Sequence, residues 1–321
     1  MVRLGIVGLG LWGRRLVDSV HGKSDKAKFV AACAPRPEKT ADYAASKGLK
    51  VFTQLGQLLS DASVDAVVSC GPAHLHAEHT LAALAAGKPV LAIKPMALAG
   101  EEAEALGQAA ARKDLLLALG YNRCFMPNIA ALREEIASGA LGDILHSEGD
   151  FCVNRHFNIK EGGWKGDPLH SPPGSLSDHV LYLTIETLGP LAQVHALSQH
   201  GVSDNRLADI TATLVQARSG ASGFLTAIGT TSDLFRFHVF GSKGWAEARG
   251  ECGFRIETAN GRKVEAVFPP ADPERLEIEA FADAVAGRKA FPVRTADAVH
   301  SVAALEAIAR SANTGRAVQI S

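Results

Sequence analysis

The chain has 321 residues, of which 47% are hydrophobic and 21% charged, and its formal net charge is -1 at pH 7. This balance is typical of a globular chain with about two domains, and it gives no sign of a nucleic-acid-binding or membrane-surface protein. No apolar run approaches the ~18 residues of a membrane-spanning helix. The five cysteines have no CxxC spacing, which argues against a disulfide or zinc framework and favours a cytoplasmic location.

The first element is an apolar strand over Leu4–Val7, which leads into the glycine-rich sequence Gly8-Leu9-Gly10-Leu11-Trp12-Gly13 and then a helix. This order of strand, GxGxxG and helix is the context that a dinucleotide-binding loop requires. Gly8 would allow the tight turn, Gly10 would let the backbone approach the pyrophosphate, and Gly13 would let the helix pack on its strand. The cofactor-binding residues predicted here are Gly8, Gly10, Leu11, Trp12 and Gly13.

The second strand, Phe29–Cys33, bears on the choice of cofactor. A fold that prefers NAD usually ends this strand with an acidic residue, which binds the ribose 2′-hydroxyl. Ala34 stands at that position here, and Arg36 follows two residues later. Because an arginine can hold a 2′-phosphate by charge-assisted hydrogen bonds, the sequence favours NADP, with NAD as the alternative.

Further strands and helices alternate up to about residue 120, which predicts a doubly wound parallel sheet. Its strands are Val51–Phe52, Val64–Ser69, Val90–Ile93 and Leu115–Leu119, and its helices are Glu38–Lys47, Thr80–Ala86 and Gly100–Lys113. Lys94 directly follows the strand Val90–Ile93. Ligands bind outside the carboxyl ends of such strands, so Lys94 would stand where a ligand sits.

Three histidines, His74, His76 and His79, follow the break at Gly71-Pro72. Such a cluster suggests a metal site, but no nearby carboxylate or cysteine completes a ligand set, so no metal is predicted. We expect this loop to line the cofactor groove, with Gly71, His74 and His76 among the residues that form it.

The pattern changes at about Gly120, and a second domain is predicted over 121–321 after a dinucleotide-binding domain over 1–120. Several of its strands alternate polar and apolar residues, as in an antiparallel sheet with one open face. The predicted strands are 144–154, 194–201, 208–217, 221–230 and 235–240, and the helices are 127–137, 175–188, 275–286 and 296–312. The fold class is therefore α/β, with an N-terminal Rossmann sheet and a C-terminal α/β domain that has a large, mostly antiparallel open sheet.

These features together resemble the glucose-fructose oxidoreductase and inositol dehydrogenase family (Gfo/Idh/MocA). The resemblance rests on the GxGxxG, on the run from Gly71 to Leu91, on Lys94-Pro95, on Gly120-Tyr121-Asn122-Arg123 and on Gly174-Ser175-Leu176-Ser177-Asp178. It implies an NAD(P)-dependent oxidoreductase that acts on a CH–OH group of a sugar, cyclitol or related polyol. It also implies a homo-oligomer, dimer or tetramer, formed through the C-terminal sheet, and a cis peptide bond between Lys94 and Pro95.

The chain departs from the family pattern at two positions. The family usually has Glu-Lys-Pro where this chain has Ile93-Lys94-Pro95, and it usually has a histidine four residues after the aspartate that Asp178 matches. Tyr182 stands at that position. Asp178 and Tyr182 are i,i+4 on one helix and project on one face, whereas His179 lies about 100° away.

The catalytic candidates are therefore Lys94, Asp178 and Tyr182, with His179 as the alternative proton carrier. A cation about 4 Å from a phenol can lower its pKa from about 10 by up to roughly three units, and Lys94 could supply that field. Lys94 would also polarise the substrate oxygen, while Asp178 would hold a neighbouring hydroxyl or orient Lys94. The alternative is that Tyr182 has a structural role, as a half-buried helix residue that is hydrogen-bonded to the backbone.

By resemblance, Pro95 and Asn122 join the cofactor site, and six further residues would line the substrate pocket. These six are Arg123, Asn154, Arg155, His156, Trp164 and Lys165. Arg155 and Lys165 would favour a carboxylate or phosphate on the substrate. Two alternatives to a turnover enzyme stay open: a catalytically weakened cofactor-binding sensor or regulator, and an intramolecular redox enzyme that retains its cofactor.

Overall fold

The computed structural model describes residues 1–159, 163–204 and 206–320. The chain forms two compact units, Met1–Asn122 with Asp272–Val299 and Arg123–Ala271 with His300–Ser321. The chain first passes from one unit to the other after Asn122, two residues beyond the boundary expected at 120/121. The assignment of all of 121–321 to one domain needs correction, because residues 272–299 belong to the first unit.

The first unit contains a six-stranded parallel sheet in the described part of the chain. Its strands are β1 (Val2–Val7), β2 (Ala27–Cys33), β3 (Lys50–Phe52), β4 (Ala66–Ser69), β5 (Val90–Ile93) and β6 (Leu117–Gly120), in the order β3-β2-β1-β4-β5-β6. The helices between them are α1 (Leu11–Val20), α2 (Ala41–Ser46), α3 (Leu55–Leu59), α4 (His76–Ala85) and α5 (Gly100–Arg112). The strand order reverses between β1 and β4, where ligands bind in open α/β sheets.

The helix expected over 38–47 is interrupted. A short 3₁₀ turn covers Pro37–Lys39, and α2 begins only at Ala41. Thr40 separates them with φ of -127° and ψ of -4°, and its hydroxyl donates to the Pro37 carbonyl oxygen at 3.1 Å. A threonine that bonds its own backbone in this way competes with helix continuation.

The second unit is built on a nine-stranded sheet of the described residues. Its strands are β7 (Ile144–Asn154), β8 (Leu191–Gln199), β9 (Ile210–Ala217), β10 (Ser222–Ile228), β11 (Thr230–Gly241), β12 (Gly244–Arg249), β13 (Gly253–Thr258), β14 (Lys263–Val267) and β15 (Val318–Gln319). The order is β14-β13-β12-β11-β7-β10-β9-β8-β15, and every pairing is antiparallel except that of β7 with β10. The α/β class and the mostly antiparallel second sheet are thus confirmed.

Four further α-helices lie in the described part of the chain: α6 (Pro127–Ala137), α7 (Asp178–Leu188), α8 (Pro273–Val285) and α9 (Thr295–Thr314). One face of the large sheet packs on α7, since a Cβ placed on Gly149 of β7 would lie 2.7 Å from the Cβ of Val180. Successive strand residues point to opposite faces, so Glu148 and Asp150 lie on the other face. None of the helices in the described ranges is long and apolar enough to cross a membrane.

Candidate active site

The glycine-rich loop between β1 and α1 has the geometry that its sequence predicts. Gly8 has a φ of +100°, and a Cβ there would lie 2.7 Å from the Cys70 carbonyl oxygen. A Cβ on Gly13 would lie 2.1 Å from the Gly8 carbonyl oxygen, so the helix packs directly against the turn. A Cβ on Gly10 would meet nothing within 4 Å, and no acidic residue occupies the first turn of α1. This open helix N-terminus suits a pyrophosphate.

A cavity of about 440 Å³ adjoins this loop and reaches the end of β2. Its lining consists of Leu9, Gly10, Leu11, Arg14, Ala34, Pro35, Arg36, Lys39 and Thr40. Arg14 is held in place because its Nη2 donates to the Lys39 carbonyl oxygen at 3.0 Å and its guanidinium lies 4.8 Å from the Tyr43 ring centroid. Three cationic side chains, those of Arg14, Arg36 and Lys39, therefore line one cavity at the end of β2. Sequence reasoning identified Arg36 and missed Arg14 and Lys39.

Lys94 directly follows β5, as predicted, and the Lys94–Pro95 peptide bond is cis, which confirms that expectation. The strand β5 pairs with β4 on one side and β6 on the other. Lys94, which is half-buried, therefore lies just beyond the carboxyl end of β5, at that edge of the sheet.

The loop after β4 contacts the segment after β5 through His76. The imidazole is only 3% exposed, with Nδ1 2.7 Å from the Pro95 carbonyl oxygen and Nε2 2.8 Å from the Gly71 carbonyl oxygen. Neither ring nitrogen is available to a metal, whereas His74 is exposed. No group of three potential metal ligands occurs within 1–159, 163–204 and 206–320.

Asn122 is buried, and its amide is fixed from within the first unit. Its Nδ2 donates to Glu274 Oε1 at 3.0 Å, and the same oxygen lies 2.9 Å from Nη2 of Arg15. The Arg15 guanidinium lies 5.2 Å from the ring centroid of Trp12, whose buried Nε1 has no hydrogen-bond partner among the described residues. The contribution of α8 through Glu274 was missed, because 152 residues separate it from Asn122 in sequence.

The second unit presents its catalytic candidates at the start of α7. Asp178 is 1% exposed, and Ser301 Oγ donates to its Oδ1 at 3.5 Å. Tyr182 is fully buried, whereas His179 is partly exposed and its ring centroid lies 5.3 Å from that of Phe151. The two proton-carrier candidates thus differ in their access to solvent.

A cation that the sequence did not reveal acts on Tyr182 within the second unit. Arg133 on α6 donates to both carboxylate oxygens of Glu186, each at 2.9 Å, and to the Cys124 carbonyl oxygen at 2.6 Å. Burial lowers the pKa of Arg133, but Cys124, Glu186 and Tyr182 together raise it by more, so the net pKa of Arg133 is raised. Arg133 therefore remains a guanidinium whose field includes the Tyr182 phenol.

The predicted substrate residues of the second unit differ in exposure. Asn154 and Arg155 are exposed at the end of β7, and Lys165 is exposed as well. Arg123 forms an ion pair with Glu251 at 2.7 Å. The side chain of Trp164 lies outside what the structure describes.

His156 is buried beneath the exposed pair, with Nδ1 3.8 Å from Asp209 Oδ1. Asp209 also accepts from the backbone N–H groups of Gly201, Val202 and Ser203 and from the Ser203 hydroxyl. Burial would raise the pKa of Asp209, but these donors lower it to about 2. His156 therefore belongs to a structural network around an ionised aspartate.

Two family models match the chain. One is described as an oxidoreductase family with an NAD-binding Rossmann fold and matches residues 2–121, and the other is a GFO/IDH/MocA C-terminal domain that matches residues 129–247. The chain belongs to the Gfo/Idh/MocA oxidoreductase family. The resemblance drawn from its motifs is thereby confirmed, and the glycine loop and the open helix N-terminus fit the nicotinamide dinucleotide that the family binds.

Individual members are similar over nearly the full length. An inositol 2-dehydrogenase of Saccharopolyspora erythraea is 28% identical, with 99% of this chain and 96% of the relative covered. A 1,5-anhydro-D-fructose reductase of Ensifer adhaerens is 27% identical, with 100% and 99% covered. The structure of a levoglucosan dehydrogenase in complex with NADH has a TM-score of 0.89 at 21% identity, covers 100% and 99% of the two chains, and shows the shared fold.

Proposed function

We propose that this family member is a dehydrogenase or reductase that acts on a CH–OH or keto carbon of a sugar, cyclitol or related polyol and prefers NADP(H) to NAD(H). The observation that carries the proposal is Lys94, which follows β5 at the carboxyl edge of a sheet whose glycine loop has an open helix N-terminus. The relatives named for inositol and for 1,5-anhydro-D-fructose support the substrate class.

A bound nicotinamide coenzyme would supply or accept the hydride. Lys94 would bind the reacting oxygen and stabilise the negative charge that develops on it. Asp178 would accept a hydrogen bond from a neighbouring substrate hydroxyl, while Tyr182, or alternatively His179, would exchange the proton with the reacting oxygen. The exposed cations Arg155 and Lys165 favour a substrate with a carboxylate or phosphate.

A cofactor-binding sensor on the same fold is the second candidate. It is favoured by the two departures from the family pattern, Ile93 and Tyr182, and by the complete burial of Tyr182. The retained Lys94 and Asp178 favour the enzyme instead, since a sensor has no need of a lysine and an aspartate at these positions.

Titration with NADPH and NADH, followed by turnover assays over a panel of polyols, keto-sugars and their acid derivatives, tests the proposal. Lys94→Ala should lower kcat at least ~10²-fold, because it removes charge stabilisation at the reacting oxygen. Lys113→Ala, which removes an exposed lysine of the same unit, is the control and should keep full activity. Coenzyme binding without net hydride transfer to any of these compounds would favour the sensor.

A further inference from the structure

The His76 imidazole is enclosed by backbone acceptors. It opens α4, and its two ring nitrogens lie 2.7 and 2.8 Å from the carbonyl oxygens of Pro95 and Gly71. The Ile93 carbonyl also acts on the ring as a hydrogen-bond acceptor. The ring thus contacts the carbonyls of both residues that flank Lys94.

This arrangement limits the hydrogen bonds that the ring can make. A neutral imidazole has one N–H donor and one lone pair, whereas an imidazolium has two donors. With a carbonyl oxygen at hydrogen-bond distance from each nitrogen, a neutral ring would direct its lone pair at an oxygen lone pair. A neutral ring therefore donates to only one of the two carbonyls, and its tautomer decides which.

Two influences on His76 oppose each other. Burial lowers the pKa of His76, and the carbonyls of Pro95, Gly71 and Ile93 raise it. The neighbouring His74 is a further titratable group that disfavours a second positive charge, as is His79 one turn later on α4. Burial is the largest of these influences, so the net pKa of His76 is lowered and a neutral ring is favoured.

We propose that His76 is a positioning residue, a buried imidazole between two backbone carbonyls that ties the Lys94–Pro95 segment to the Gly71 loop and thereby fixes the position of the Lys94 side chain. The two segments leave adjacent strands, since β4 and β5 pair through Ser69 and Ala92. His76 is the side chain that bridges them beyond the end of this pairing. The functional part of the proposal rests on the assignment of Lys94 to the reacting oxygen.

The protonation state is tested by NMR of protein that carries ¹⁵N-labelled histidine. The His76 signals are identified by their loss in His76→Gln. We expect one protonated ring nitrogen above pH 7, held as a single tautomer because both nitrogens face fixed backbone carbonyls. Exchange between the two neutral tautomers in this range would overturn the proposal, whatever the enzyme does in turnover assays.

The positioning role is tested with His76→Gln against His79→Gln, a matched histidine one turn later on α4. The glutamine side chain offers a single amide donor group to two distant carbonyls, so the backbone amide shifts of Lys94 and Met96 should change in this variant and stay unchanged in the control. The kcat should fall about 10–100-fold with coenzyme affinity retained, as expected for misplacement of a reacting group. Unchanged Lys94 and Met96 amide shifts would overturn the positioning role. Changed shifts without any turnover in the wild type would instead count against the proposed function alone.

Discussion

At the scale of single residues, Arg36 is the first test of cofactor preference. It is exposed at the rim of the cavity next to α1, and no carboxylate occupies the end of β2. Arg36→Ala should therefore weaken NADP(H) binding by about 1–3 kcal/mol and leave NAD(H) binding nearly unchanged. Fluorescence titration with both coenzymes measures this difference.

The control for Arg36 is Lys28→Ala, which removes an exposed cation from β2, the strand that precedes Arg36. It should affect neither coenzyme. Equal losses for NADPH and NADH in Arg36→Ala would show that the arginine does not distinguish them. Lys39 and Arg14 line the same cavity, and part of the NADP(H) affinity should therefore survive the loss of Arg36.

Tyr182 and His179 offer a second test at this scale. Tyr182→Phe removes only the hydroxyl, so the ring should stay buried, while kcat should fall ~10²–10⁴-fold if the phenol is the acid-base group. His179→Gln is the comparison, and it should keep most of the activity. The opposite result would identify the histidine as the proton carrier.

At the scale of elements, helix α8 contributes a buried carboxyl group to the first unit. Glu277 is fully buried, and neither of its oxygens has a hydrogen-bond partner in the described residues. Burial is the main cause that raises the pKa of Glu277 well above its usual value, and the charge of Glu274 raises this pKa further. The folded state therefore binds this proton more tightly than the unfolded chain does.

The stability of the folded protein should therefore depend on pH through the protonation of Glu277. The folded state holds more protons than the unfolded chain. The contribution of Glu277 to the free energy of unfolding therefore falls as pH rises from about 4.5 towards its raised pKa, with a limiting slope of about 1.4 kcal/mol per pH unit. Glu277→Gln cannot ionise, so it should be more stable than the wild type at pH 8, with a difference that disappears near pH 4.5. Thermal unfolding across this range, with the half-exposed Glu279→Gln as the control, measures it. A variant less stable than the wild type at pH 8 would contradict a neutral Glu277.

The elements also show where sequence reasoning reaches its limit. The bounds expected for β7 and α6 match the observed ones to the residue, and the glycine pattern located the turn between β1 and α1. The strands β12, β13 and β14 were missed, because they are short, rich in charge and defined by pairing with β11 rather than by an apolar run.

Non-local contacts account for what was missed in the candidate site. The placement of α8 in the first unit depends on Glu274 meeting Arg15 and Asn122, which lie far away in sequence. Ser301 and Arg133 reach α7 in the same non-local way. His76 was expected to line the groove, but its partners are backbone carbonyls, and no side-chain pattern identifies those.

At the scale of the whole molecule, the open face of the large sheet bears on assembly. This face is formed by the residues of β7–β11 that point away from α7, among them Glu148, Phe224 and Leu214. Leu214 and Leu197, on adjacent strands, are 56% and 67% exposed. Exposed leucines on a regular sheet favour contact with another protein surface, and we propose a second copy of this chain as the partner.

The oligomer prediction is tested by substitution at the centre of the apolar part of this face. The wild type should sediment as a multiple of its 33.7 kDa chain. Leu214→Asp should weaken association about 10–100-fold, because burial of a leucine contributes about 1.5–3 kcal/mol. Leu169→Asp, which places the same charge at another exposed leucine outside the sheet, should leave the assembly intact. A wild-type protein that sediments as a monomer, or two variants that dissociate alike, would exclude this face as the interface.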